Sequence, residues 1–278
     1  MVELDQTTFA QEAAQAGEAL SPLRAGLLLA RECAYPGLRP SDYVVQVEDL
    51  ALAAQAALAG VSDPQARGLA LAEFLFGAYG LRGNADNYAD PRNSYLNQVL
   101  DRRLGIPISL SVIYLEVGAR LGLPVAGVGL PGHFIVRAGG ADQPAYLDPF
   151  HGGRVLSRDD CRELVRSAAG LSGAFDPAWL APTPPRNIVA RMLNNLRAFY
   201  ISVEDWSLAI AMLERLVLLQ PDVPGHVRDL GVLHYRAGSF RQASRLLDDY
   251  LKRAPQAADA DTVRRGRDLM LEELARLN

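Results

Sequence analysis

Cysteine is scarce in this chain: Cys33 and Cys161 stand far apart, and no Cys-x-x-Cys pair occurs. A disulfide framework and a cysteine-rich zinc site are therefore excluded. Lysine is scarcer still, because Lys252 is the only one and arginine supplies the rest of the positive charge. A lysine Schiff base or lysine general base would rest on that one side chain, at a charged helix end, and is set aside. There is no basic surplus: 28 basic residues face 32 acidic ones, for a formal charge of −4. That balance argues against a dedicated nucleic-acid binder. Long apolar runs are missing too. The densest early one, at 27–30, is too short for a signal peptide or a membrane span, and Glu3 and Asp5 stand where an export signal would be basic. The expectation is a cytoplasmic protein without a membrane partner. What is present is an ordinary globular composition, 278 residues and 49% hydrophobic, long enough to bury a sizeable core without a metal or disulfide staple.

Three regions follow one another, and their order predicts an α+β fold. Residues 1–84 form an N-terminal helical region. Ser21-Pro22 and Ser62-Asp63-Pro64 are helix starts, with a cap followed by Pro at the first helical position, and Ser41 or Asp42 opens a helix between them. Residues 85–180 change character. Asn93 is placed to cap a helix carrying Leu96, Val99 and Leu100, and a second helix begins near Pro107 with Leu110, Ile113, Tyr114 and Val117 at helical spacing. Strand-like runs at 125–130, 133–137 and 145–150 follow, with a turn signal at 138–142, and predict a small antiparallel sheet. Ser157 then caps a further helix. Ala181-Pro182-Thr183-Pro184-Pro185 reads as a linker to a third region at 187–278. There Trp206, Ala209, Leu213 and Pro221 recur as Phe240, Ala243, Leu247 and Pro255, the tetratricopeptide period. Paired α-hairpins are expected, with Ala209 and Ala243 at tight crossings and a last helix over 262–277. Stacked repeats of this kind present an extended face to a protein or peptide partner.

Four histidines are present: His133, His151, His226 and His234. His234 falls where Tyr200 stands one repeat earlier, which makes it a packing residue. No histidine pair has helical ligand spacing, so no metal is expected. His133 follows Pro131-Gly132 at the start of a strand, and Asp148 lies on the next one. If Val136 faces Ala145, then His133 faces Asp148 on the same side of the hairpin. An aspartate holding an imidazole is the base and orienter of a nucleophilic triad. A nucleophile would stand at the start of the preceding helix, where the backbone N–H groups favour negative charge. The hydroxyls available there are Ser109 and Ser111. A serine in the first helical turn is, against this, an ordinary cap or packing residue.

Four motifs carry a resemblance to a known family. These are Asn93-Ser94-Tyr95-Leu96-Asn97-Gln98-Val99-Leu100, Arg102-Arg103-Leu104-Gly105-Ile106-Pro107-Ile108-Ser109-Leu110, Leu130-Pro131-Gly132-His133-Phe134 and Leu147-Asp148-Pro149-Phe150-His151-Gly152-Gly153. Together they resemble the SirB1 family, a bacterial branch of the transglutaminase-like superfamily that often carries C-terminal tetratricopeptide-like repeats. The resemblance implies a papain-related core with a Cys-His-Asp triad. His133 and Asp148 match two of its positions. The cysteine has no match, and Ser109, then Ser111, are the candidates for its place. What this implies is a cysteine-less, non-catalytic transglutaminase-like domain, free of cofactor, joined to a protein-binding helical repeat with a regulatory role. The alternative is a Ser-His-Asp hydrolase or acyl transferase acting on an amide or ester. A third reading is a scaffold whose two halves merely pack together. Oligomeric state is not legible.

Overall fold

The computed structural model describes residues 2–140, 143–171 and 174–277, so Ala141 and Asp142 of the expected turn lie outside the described residues. The chain divides into two compact units, Met1–Met192 and Leu193–Asn278. The division falls inside the helix Pro185–Ser202 rather than in the proline-rich linker before it.

Local signals account for most helix starts in the first unit. Ser21 caps Pro22–Cys33 by accepting from the Arg24 amide at 3.2 Å, and Asp63 caps Pro64–Glu73 by accepting from Ala66 at 2.7 Å. Ser157 and Asp160 form a reciprocal capping box on Arg158–Ala169. Two expected caps are corrected. Pro40–Ala57 starts behind Arg39 without a side-chain cap, and the Ser41 amide and hydroxyl donate instead to Asp5, at 2.9 and 2.7 Å. A carboxylate supplied by another segment is a stronger acceptor than a neighbouring hydroxyl. Asn93 does not cap Leu96–Arg102 either, since Tyr95 occupies that position.

Helices from 1–84 and elements from 85–180 share one core. Ile108, Leu110, Val112, Ile113 and Val117 on Pro107–Arg120 pack with Leu27, Leu50, Leu71 and Leu75, and with Val136 and Leu147 of the sheet. Each such side chain, removed from water, contributes roughly 1.5–3 kcal/mol before conformational entropy is subtracted. Tyr114 is fully buried within this helix and donates its hydroxyl to the Gly68 carbonyl at 2.9 Å, which satisfies a polar atom the core would otherwise strand.

The sheet has four antiparallel strands in sequence order, Val125–Val128, Ile135–Ala138, Ala145–Asp148 and Arg154–Leu156. Its last strand was not legible, being three residues behind a turn in which Gly152 and Gly153 take φ of +72° and +74°. The register also differs from the expected one. Val136 faces Leu147 and Ala138 faces Ala145, a shift of two residues, and His133 precedes its strand instead of opening it. A two-residue shift preserves which face each side chain takes. Val136 and Leu147 thus reach the main core, while Ile135 points to the other side, into a smaller cluster with Leu156, Cys161 and Val165.

The second unit continues from the end of Pro185–Ser202 into Trp206–Leu219, Pro224–Arg236, Phe240–Arg253 and Ala260–Leu277. Ala209 and Ala243 are fully buried. A Cβ on Gly231 would lie 3.3 Å from the Ala243 carbonyl and 2.8 Å from Leu247, so these two helices approach closely at small residues. His234 is only half-buried, whereas its repeat counterpart Tyr200 is buried. No described helix is long and apolar enough to cross a membrane.

Candidate functional site

A tight turn delivers His133. Gly132 takes φ +72°, and a Cβ there would lie 2.7 Å from the Ala168 backbone, so only glycine fits. Arg191, from the Pro185–Ser202 helix, fixes the turn from outside. Its guanidinium donates to the Leu130 carbonyl at 3.0 Å and to the His133 carbonyl at 2.7 Å, and lies 5.4 Å above the Phe134 ring. Burial lowers the pKa of Arg191. Nothing in the spacing of the sequence points to this residue, which is remote from the turn it holds.

Asp148 closes the last turn of its own strand. It is fully buried. Its Oδ1 accepts from the Phe150 amide at 3.1 Å, and its carbonyl accepts from the Gly153 amide at 2.8 Å. The carboxylate then meets two imidazoles. His133 Nε2 lies 3.0 Å from Oδ1, and His151 Nδ1 lies 2.7 Å from Oδ2. His133 therefore reaches Asp148 from the segment ahead of its strand, and not from a directly opposed ladder position. Burial pushes the Asp148 carboxyl upward, but hydrogen bonding and attraction from His133 and then His151 outweigh it, leaving the pKa below the ordinary carboxylate value. The two rings stack 6.1 Å apart, and the Phe150 ring stands edge-on to each. Tyr88 packs edge-on against Phe150 in turn.

His151 was not among the expected site residues. A signal existed: Asp148 and His151 are three apart in Asp148-Pro149-Phe150-His151, a spacing that a search for paired histidines passes over.

The two candidate hydroxyls are committed elsewhere. Ser109 is fully buried, and its Oγ accepts from the Ile106 amide at 3.0 Å while lying 2.6 Å from the Asn93 carbonyl. Ser111, equally buried, donates to the Pro107 carbonyl at 2.7 Å. Among the described residues neither hydrogen-bonds to His133. Cys161 lies fully buried in the small cluster, where burial pushes its thiol up to about 11, and neither cysteine forms a disulfide. His133 and Asp148 thus come together, and Ser109 does not join them.

Asn93 instead organises the loop ahead of the helix. Its amide nitrogen donates to the Asn87 carbonyl at 2.8 Å, its amide oxygen accepts from Asn84 at 3.0 Å, and its carbonyl faces Ser109. Asp90 beside it pairs with Arg92 and Arg102. Hydrogen bonding from Arg92, opposed by burial, holds the Asp90 carboxyl below its ordinary value. These contacts orient the start of Pro107–Arg120 and leave its first turn no unsatisfied polar side chain to offer as a nucleophile.

Comparison with known proteins agrees with this architecture. Residues 41–194 match the family described as the transglutaminase-like superfamily, and residues 196–266 match a tetratricopeptide repeat. A UPF0162 protein of Xylella fastidiosa is 38% identical over 250 residues, 89% of each chain. Another from Vibrio cholerae is 29% identical over 191 residues, 68% of this chain and 70% of its own. F-box only protein 21 of Mus musculus is 34% identical over 132 residues, which are 44% of this chain and 20% of the mouse protein.

Proposed function

This chain belongs to the transglutaminase-like superfamily and carries tetratricopeptide repeats, and from that premise we propose that it is a non-catalytic member whose repeat binds a protein partner in a regulatory role. The observation that carries the reading is the state of Ser109, buried and bonded to Ile106 and Asn93. A serine becomes a nucleophile only when an aligned base takes its proton. Here the base, His133, faces Asp148 and His151 instead. The helix start that would ionise a thiol is not enough for a hydroxyl, whose pKa is far higher. The motifs from Asn93 to Gly153 support placement in the SirB1 branch. The binding role draws on the helical hairpins of 193–278, which leave apolar side chains such as Leu218 and Val232 exposed. A cytoplasmic location is in keeping with two isolated cysteines and an acidic composition.

The competing reading, a Ser-His-Asp hydrolase or acyl transferase, draws on the His133–Asp148 pair. A serine-directed fluorophosphonate probe separates the two. The expected result is no labelling of Ser109 or Ser111, together with no amide or ester turnover that depends on His133. Labelling that disappears in His133→Ala would overturn the non-catalytic reading and establish the hydrolase.

A further inference from the structure

We propose that His133, Asp148 and His151 form a binding site for one divalent transition-metal ion of zinc-like ligand preference. Their ligand atoms all lie within 4.8 Å of one another. Two imidazoles and one carboxylate are a donor set suited to zinc, cobalt(II) or iron(II), whereas magnesium and calcium need more oxygen ligands. The arrangement is also organised in advance. Asp148 Oδ1 is fixed by the Phe150 amide, and the turn that carries His151 is closed by the Gly153 amide on the Asp148 carbonyl. Backbone partners of this kind are what hold a ligating carboxylate in one orientation.

Charge supplies an independent reason. Asp148 is 0% exposed, and among the described residues no arginine pairs with it; its side-chain partners are the imidazoles of His133 and His151. A buried carboxylate with no fixed cation carries a desolvation cost that a divalent ion would offset. Each ring already meets Asp148 through the nitrogen that would coordinate, so entry of the ion replaces those two contacts. His133 would coordinate through Nε2 and His151 through Nδ1, the ion taking the place of the proton that either nitrogen directs at Asp148. The side chain of His151 is 54% exposed, so the site opens toward solvent on that side and a water can complete a four-coordinate shell. Phe150 and Tyr88 back it on another. The inference does not depend on the absence of acyl chemistry, since an ion is held or not held regardless of what Ser109 does.

The test uses the full chain after treatment with a chelator, titrated with cobalt(II) and followed by its visible absorption, then with zinc(II) by calorimetry. One ion per chain is expected. His151→Gln, whose side chain is 54% exposed, should weaken binding at least ~10-fold, the lower end of what disturbing a ligand's environment costs, with circular dichroism confirming that the variant is folded. Asp148→Asn should do the same, with circular dichroism confirming that the variant is folded. His226→Ala, in the repeat, should bind as the parent does. No saturable binding by the parent chain, or binding that His151→Gln leaves unchanged, overturns the site.

Discussion

Ser109 shows how a single hydroxyl is assigned by its surroundings. The Ile106 amide just ahead of Pro107–Arg120 lies a long 3.4 Å from the Asn93 carbonyl, and the Ser109 oxygen accepts from the amide at 3.0 Å and donates to the carbonyl at 2.6 Å. Removing it leaves these buried groups only their long contact with each other. Ser109→Ala should therefore destabilise the protein by about 1–3 kcal/mol, the penalty for unsatisfied buried polar atoms. The urea midpoint should fall at unchanged slope. An unmoved midpoint would mean that the hydroxyl has no structural duty, and would reopen its candidacy as a nucleophile.

Elements are held together here by small residues as much as by large ones. The Pro224–Arg236 and Phe240–Arg253 helices meet where Gly231 lies against Ala243 and Leu247. Ala243 is fully buried, and a branched side chain in its place would hold the helices apart. Ala243→Leu should cost roughly 1–3 kcal/mol by overpacking, seen as a lower melting temperature of the full chain. A melting curve that does not move would mean that the helices are not held at a close crossing there. Arg191 plays the opposite part, as a long side chain that ties a helix to the turn between the first two strands of the sheet.

At the scale of the whole molecule, acid sensitivity sums several local pairings. Asp5, Asp90 and Asp259 each have a carboxyl below the ordinary value of 3.8, owing chiefly to hydrogen bonds from Ser41, Arg92 and Tyr250 respectively. A carboxyl depressed in the folded state contributes stability that is present above its unfolded pKa and is lost as pH falls through the folded one. These carboxyls should thus give a steady stabilisation from neutral pH down to the unfolded carboxylate value and a declining one below it, added to an earlier loss below about 6.5 from His226 and His234, whose pKa burial lowers. Asp90→Asn should show a shallower decline at the acid end. An identical profile in the variant would mean that Asp90 contributes no linkage.

Whatever depends on near neighbours could be read along the chain. Helix starts at Ser21, Asp63 and Ser157, the apolar face of Pro107–Arg120, and the repeat with its buried alanines follow from spacings of a few residues or from one fixed period. The motifs from Asn93 to Gly153 also carried the superfamily, together with the prospect that His133 and Asp148 share a side of one hairpin. Tertiary structure decided what depends on which distant group arrives. Asp5 took Ser41, Asn93 became the centre of a loop instead of a cap, and Arg191 came to hold the His133 turn. The strand register settled two residues from the expected one, because side-chain alternation fixes only the face and leaves even shifts to packing. His151 joined Asp148 only once two glycines of positive φ had closed the turn. A buried carboxylate takes the partners that the fold brings within reach, and the order of residues along the chain does not record that distance.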